Sequence, residues 1–148
     1  MKAKSPTALP KKLVNVSLEG IELDDVSLAK AKIHNATFEG ARLDDVSLAQ
    51  AVIHNATFEG SELDDVELGK AKIKNASFKG AELDDVTFEK ANIKNASFED
   101  ARLDDVTFVN AVIKNGNLEG LKIEGCSIEG LTIDGVRIDE LLKEKRKA

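Results

Sequence analysis

A large apolar residue recurs at every fifth position of this chain, and this spacing constrains the fold more than any other feature. From Leu13 to Ile138, all 26 positions in the series are Leu, Ile or Phe. The residue two places earlier is small or apolar from Val16 to Val136. A helix needs apolar spacings of three and four residues, so strict fives would scatter apolar residues around its surface. We therefore predict short extended segments with alternating faces, each followed by a corner.

Identical residues recur every twenty positions, which predicts four five-residue units in each coil. Asn recurs in this way from Asn15 to Asn115, and Ile does so from Ile33 to Ile133. A four-sided coil stacks these residues into columns, with neighbouring coils about 4.8 Å apart. A three-sided coil would separate them.

Units such as ARLDD at 41–45 and ASFKG at 76–80 resemble the pentapeptide repeat family, whose units centre on Leu or Phe with a small residue two places earlier. The resemblance runs without a break from about residue 11 to residue 140. It implies an all-β fold, a right-handed quadrilateral β-helix, here of about six coils. We divide the chain into an N-terminal tail and cap (1–12), the β-helix (13–138) and a short helical C-terminal cap (139–148).

Side chains that face the inside of the predicted coil form columns of like residues. Small and large residues alternate, so we expect a filled interior in which each central side chain contributes roughly 1.5–3 kcal/mol by burial. The residues predicted to form the core ladder are Ile33, Ile53, Ile73, Ile93, Ile113, Phe38, Phe58, Phe78, Phe98, Leu43, Leu63 and Leu83.

Two corner columns carry residues that tolerate a positive φ. One is mostly glycine, from Gly20 to Gly120, and the other is asparagine, from Asn15 to Asn115. Stacked Asn amides can also hydrogen-bond along their column. We interpret both columns as structural.

The five-residue pattern ends near the C-terminus, where we expect a short charged helix from about Asp139. Leu141 and Leu142 are expected to lie over the last coil and cover its open strands. The resemblance also implies that this end can form a homodimer contact. A homodimer through the C-terminal end and a monomer are both retained as expectations. Cys126 occupies an inward small position and is expected to be a small buried hydrophobe.

Acidic residues form the most distinctive surface feature. The formal charge is −12 over residues 16–135, whereas both ends of the chain are basic. Paired Asp residues recur every twenty positions, beside a face that carries Glu. The candidate partner-contact residues are Asp24, Asp44, Asp45, Asp64, Asp65, Asp84, Asp85, Asp104, Glu39 and Glu59.

Three interpretations of the paired Asp residues remain open. In the first, one Asp of each pair accepts hydrogen bonds from corner amides and the other is solvated. In the second, the carboxylates bind cations weakly, although the sequence has no loop offering the six to eight oxygen ligands that calcium takes. In the third, they imitate DNA, because about three carboxylates per coil approach the roughly 2.8 charges that B-DNA carries over 4.8 Å.

The sequence favours a non-enzymatic role. His34 and His54, the only histidines, share an outer face with Lys74, Lys94 and Lys114, and two imidazoles alone make neither a closed zinc site nor a catalytic triad. We expect no catalytic residue, no cofactor and no bound metal. No apolar run approaches the roughly 20 residues that span a bilayer, and we expect a cytoplasmic protein whose partner is another protein or itself, not nucleic acid or a membrane.

Two functions are therefore carried forward. The favoured one is a structural or protein-interaction scaffold. The alternative is an acidic DNA mimic that binds a type II topoisomerase such as gyrase, which the resemblance implies because some family members protect these enzymes from quinolones. The basic face that includes Lys74, and the lack of interrupting loops between residues 11 and 140, count against the alternative. The regularity also leaves open that the chain is an idealised or designed repeat.

Overall fold

The computed structural model describes residues 2–8 and 11–147, with side chains for residues 11–147. Strands and corners alternate along the chain, and one helix follows them. The strands form two sheets, a seven-stranded sheet A and an eight-stranded sheet B. The molecule is a β-solenoid of about six coils with a C-terminal helix, which confirms the predicted fold class.

Strands are numbered in chain order and alternate between the two sheets. Sheet A contains β1 (Lys2–Ala8), β3 (Glu22–Ser27), β5 (Arg42–Ser47), β7 (Glu62–Glu67), β9 (Glu82–Asp84), β11 (Arg102–Asp104) and β13 (Lys122–Glu124). Sheet B contains β2 (Lys12–Ser17), β4 (Lys32–Thr37), β6 (Val52–Thr57), β8 (Lys72–Lys74), β10 (Asn92–Lys94), β12 (Val112–Lys114), β14 (Thr132–Ile133) and β15 (Val136–Arg137). The helix is α1 (Ile138–Lys147).

Each strand from β2 to β12 pairs in parallel with the strand twenty residues further along the chain. Leu23 lies opposite Leu43 in sheet A, and Ile33 lies opposite Ile53 in sheet B. Ten residues separate a strand of sheet A from the next strand of sheet B, so the sheets occupy opposite sides of a twenty-residue coil. The two remaining sides are joined by isolated bridges such as Thr57 to Ser77. This register confirms that like residues stack once per coil.

Every fifth residue from Asn15 to Gly130 has a positive φ, between 50° and 71°. Lys30 and Gln50 adopt this conformation as well, although Gly and Asn were the expected corner residues. Their backbone N–H groups donate to backbone carbonyls of the next coil, Lys30 to Ala49 at 2.8 Å and Gln50 to Gly69 at 2.9 Å. The left-handed backbone is therefore imposed by pairing between coils, whichever residue occupies the corner.

The stacked Asn corners form a hydrogen-bonded ladder. Each amide nitrogen donates to the side-chain oxygen of the Asn one coil earlier, at 3.0–3.2 Å, from Asn35 to Asn95. At Asn115 the arrangement changes, because its backbone N–H donates to Asp134 Oδ1 at 2.8 Å. The predicted amide stacking is present through five coils.

The interior is filled by stacked apolar side chains. All twelve residues of the predicted core ladder are buried. The rings of the column from Phe38 to Phe98 stack at 4.7–4.9 Å between centroids. A second column, Phe88 and Phe108, meets the first edge-on through Phe88, with ring planes at 80–85°. The ring distances match the spacing of about 4.8 Å between paired strands, which the outward columns share.

The N-terminal end of sheet A carries one extra strand within the segment expected to be a tail and cap. Strand β1 pairs in parallel with β3, placing Lys2 opposite Glu22 and Lys4 opposite Asp24. The register shifts between Lys4 and Thr7. Strand β1 therefore covers the edge that β3 would otherwise expose.

The C-terminal end of sheet B is closed by a reversal of the chain. Strand β15 pairs antiparallel with β14, so Ile133 lies opposite Val136. The turn residues Asp134 and Gly135 have φ values of 47° and 83°, which suits a two-residue hairpin. An antiparallel strand cannot start another coil of the same hand, so the five-residue spacing continues to Ile138 while the coiling stops.

The helix is attached through its first two residues and not by its leucines. Ile138 packs against the hydrophobic core, and its N–H donates to the Leu131 carbonyl at 3.0 Å. The buried Asp139 carboxylate accepts two hydrogen bonds from Arg137, at 2.8 and 3.0 Å, and one from the Gly130 N–H at 3.2 Å. Leu141 and Leu142 are each 42% exposed. The prediction that both leucines cover the last coil is therefore wrong in this structure, because the start of α1 makes the contact through Ile138 and the Arg137–Asp139 pair.

Candidate functional site

The predicted Asp column lies on the outer surface of sheet A. We call the outward side chains at residue 22, 24 and 25 of this sheet, and at each twentieth residue after them, the acidic face. Sheet pairing places like residues opposite each other: Asp24 with Asp44, Asp44 with Asp64, and onward to Asp104. Asp45, Asp65 and Asp85 are corner residues with φ of 52–53°. Eight of the ten candidate contact residues thus share one surface.

The carboxylates of the acidic face receive little support from their own molecule. Within residues 11–147, neither Asp of the pairs 44–45, 64–65 and 84–85 accepts a hydrogen bond from a corner amide. The interpretation in which one Asp of each pair is held by corner amides is therefore wrong for these pairs. The positive φ is maintained by backbone pairing between coils, which leaves these side chains in solvent.

Repulsion along the column shows in the pKa values. Although Asp45 is exposed, partial desolvation by the surrounding protein, followed by the like charges of Asp25 and Asp65, raises its pKa above the ordinary value. The pKa of Asp64 is raised in the same way by burial and then by Asp44 and Asp84. The pKa of Asp85 is also raised, first by desolvation and then by the like charge of Asp84. The face therefore carries negative charge that its surroundings do not neutralise.

Two arginines, one on each side of the middle coils, lie next to the Asp column. Arg42 lies 3.5 Å from Asp44, and Arg102 lies 3.8 Å from Asp104. Both pairs are exposed, and exposed ion pairs contribute little. In the middle coils the corresponding positions are Glu62 and Glu82, so negative charge is greatest there.

The two Glu candidates lie on the neighbouring side of the coil, across the glycine corner. Glu59 accepts a hydrogen bond from Ser77 Oγ at 2.8 Å. Lys79 interrupts the Glu column and forms an ion pair with Glu99 at 3.0 Å. Glu39 and Glu59 therefore extend the acidic surface around a corner but do not belong to the flat face.

The opposite side of the coil, the outer surface of sheet B, is positively charged. We call its outward column His34, His54, Lys74, Lys94 and Lys114, together with Lys72, the basic face. The two imidazole rings stack at 4.8 Å, and His54 Nδ1 is buried without a hydrogen-bond partner. A shallow depression of about 230 Å³ lies beside His54, with the 44% exposed Val52 on its rim.

Features suited to catalysis or metal binding are few. Among the described residues, no group of three or more His, Cys, Asp or Glu side chains is placed to hold a metal ion. Cys126 is half-buried, burial raises the pKa of its thiol, and its sulfur accepts a hydrogen bond from the Val106 N–H at 3.3 Å. A thiol with a raised pKa is a weak nucleophile. Within residues 2–8 and 11–147, no helix has the length and apolar character to cross a membrane.

Several solved structures match the chain at low sequence identity. The pentapeptide repeat protein Rfr23 from the cyanobacterium Cyanothece 51142 is 21% identical, with 84% of this chain and 92% of that chain covered and a TM-score of 0.38. A pentapeptide repeat protein from the Arabidopsis thaliana thylakoid lumen is 17% identical, covering 94% and 78%, with a TM-score of 0.44. A trypsin-treated form of QnrB1, a plasmid-mediated fluoroquinolone resistance protein, is 16% identical, covering 100% and 96%, with a TM-score of 0.41.

Family assignment rests on the sequence. No curated protein matches the chain. The family described as "Pentapeptide repeat region" matches residues 64–138, and the related description "Pentapeptide repeats (8 copies)" matches residues 12–45 and 41–80. Together these matches cover most of the solenoid described above. The chain belongs to the pentapeptide repeat family.

Proposed function

We propose that this protein is a non-enzymatic interaction scaffold and that the acidic face is its contact surface for a protein with basic side chains. The observation that carries the proposal is the column of carboxylates from Asp24 to Asp104, stacked in register along sheet A. The raised pKa values of Asp45 and Asp64 are consistent with it: desolvation is their first cause and the like charges of neighbouring Asp residues the second, and cationic side chains from a partner would relieve that second cause.

Rigidity of the face also supports this role. The side chains project from strands paired on both edges, above a buried core that includes Leu43 and Leu63. A preorganised surface loses little conformational entropy on binding, so more of the interaction free energy appears as affinity. Rim charges of this kind mainly set the association rate and its dependence on salt.

The test compares purified wild type with two triple variants. In the first, Asp44→Asn, Asp64→Asn and Asp84→Asn neutralise the acidic face. In the control, Glu129→Gln, Glu140→Gln and Glu144→Gln remove the same charge from exposed positions at the C-terminal end. Proteins captured from an extract of the source cells are identified, purified and titrated against all three forms.

The proposal expects a basic protein that binds wild type and the control with equal affinity and binds the neutralised variant at least tenfold more weakly. Equal binding to all three forms would remove the acidic face as the site. Capture of no protein by wild type would count against the scaffold role itself.

The same column favours a second candidate, an acidic mimic of DNA that binds a type II topoisomerase. Stacked rings in neighbouring coils are 4.7–5.1 Å apart, so about three carboxylates per coil approach the roughly 2.8 phosphate charges of B-DNA over 4.8 Å. The basic face weakens this candidate, because a duplex is negative on all sides. A gyrase supercoiling assay, with and without a quinolone, tests it. Inhibition or protection that the neutralised variant lacks would support mimicry, and no effect of wild type would exclude it for gyrase.

A further inference from the structure

The acidic and basic faces lie on opposite sides of one solenoid and repeat with the same spacing. Asp64 and Asp84 are one coil apart in sheet A, and Lys74 and Lys94 are one coil apart in sheet B. Because both columns follow the same parallel pairing, they advance together along the axis. Two copies lying side by side with parallel axes would therefore match carboxylate to ammonium group without a mismatch that accumulates along the contact.

The charges on both faces are available for a partner. Within residues 11–147, Lys72, Lys74 and Lys94 form no ion pair, and the same holds for Asp64 and Asp84. The lysines of β8 and β10 belong to the same middle coils as the most negative part of the acidic face. Complementary charge is thus greatest at the same height on the two sides, so side-by-side contact needs no axial displacement.

We propose that the acidic face of one copy docks on the basic face of a second copy, so that the protein assembles side by side. This inference rests on the proposed function, which makes the acidic face a contact surface, and it specifies a second copy as the partner. The two surfaces in contact are different, so the contact is heterologous. Each added copy leaves one acidic and one basic face open, and a row of parallel solenoids forms.

The size of the faces makes each contact weak. About six coils at 4.8 Å give a length of roughly 30 Å, and a three-residue strand gives a width of roughly 10 Å. This area is smaller than the roughly 800 Å² per partner of a standard interface. Rows are therefore expected at high protein concentration.

Salt decides whether the local attraction exceeds the overall repulsion. The net charge of −6 opposes association of any two copies. At about 0.1 M salt the Debye length is about 10 Å, so facing columns still attract while distant charges are largely screened. Assembly should weaken as salt rises from this value toward about 1 M, where the Debye length is about 3 Å.

A charge-exchange experiment tests the proposal by sedimentation velocity over a series of protein and salt concentrations. One variant, Lys72→Glu, Lys74→Glu and Lys94→Glu, has two acidic sides. A second, Glu62→Lys, Asp64→Lys and Asp84→Lys, makes the acidic face basic. A control, Lys143→Glu, Lys145→Glu and Lys147→Glu, changes net charge as the first variant does but on α1 alone. Circular dichroism establishes that each variant is folded.

Wild type and the α1 control are expected to show a weight-average mass that rises with concentration and falls with salt. Each face variant alone should remain monomeric, and an equimolar mixture of the two should recover the heavier species. A monomeric mixture, or a face variant that assembles as wild type does, would overturn the proposal. So would assembly that strengthens with salt. A monomeric wild type that binds a different basic protein through Asp44, Asp64 and Asp84 would uphold the proposed function and overturn this inference alone.

Discussion

Replacement of Asn55 by alanine should destabilise the solenoid by an amount that its ladder contacts allow to be estimated. Asn55 donates to Asn35 Oδ1 at 3.1 Å and accepts from Asn75 Nδ2 at 3.2 Å. Losing both bonds costs about 1 kcal/mol, taking roughly 0.5 kcal/mol each because the ladder is exposed. Alanine must also keep the corner φ of 55°, which costs a further 1–2 kcal/mol or so. We expect the free energy of unfolding to fall by about 2–3 kcal/mol.

Two further substitutions at Asn55 separate the two contributions. Asn55→Gly loses the same hydrogen bonds without a steric penalty at positive φ, so the loss should be about 1 kcal/mol. Asn55→Asp still accepts from Asn75 but cannot donate to Asn35, and its effect should be smaller than that of alanine. Urea unfolding followed by circular dichroism measures all three. Equal stability of the Ala and Gly variants would refute the backbone contribution, and an alanine variant as stable as wild type would refute the whole estimate.

Three other predictions concern the core, the acidic face and the helix. Ile73→Asp places a carboxylate in the filled interior and should unfold the middle coils; an unchanged thermal melt would contradict this. Stability should rise as pH falls from 7 toward 4, because the raised pKa values of Asp45, Asp64 and Asp85 make their ionisation unfavourable in the folded state. Replacing all three with Asn should flatten that dependence in melts at several pH values. Asp139→Asn should loosen α1, which faster amide hydrogen exchange in the helix would show. Because Arg137 holds the pKa of Asp139 well below the ordinary range, acid should release the helix of the wild type only at very low pH.

The coil itself was predictable because two periods agree. The five-residue period fixes which side chains point inward, and the twenty-residue period fixes which of them stack. No other register keeps Ile33 opposite Ile53 and Phe38 above Phe58 together. The residues of the acidic face followed from the same reasoning, because any outward column is defined once the inward ones are.

The ends and corners could not be predicted in the same way, because the structure there depends on contacts that the five-residue pattern does not reveal. Ile133 and Ile138 continue the five-residue spacing through the reversal at residues 134–135, so the hairpin is hidden by the repeat. The Asp-Gly dipeptide was the one available signal for it. Lys30 is a poor corner residue by its own preference, and only the inter-coil hydrogen bonds explain its φ of 62°. Exposure of Leu141 depends on how Asp139 docks, which the pattern does not contain.

The uniform corner has a consequence for how such a chain can change in length. Every fifth residue from Asn15 to Gly130 bends the backbone in the same way, so the backbone would accept an insertion of five residues nearly anywhere. Such an insertion would turn everything after it by a quarter of the circumference, and half of the Asp column would move to a different side. An insertion of twenty residues restores each side chain to its own side. Gene duplication can therefore keep the positive and negative sides apart only if it adds whole coils. The twenty-residue unit of such a duplication is the repeat that the sequence carries.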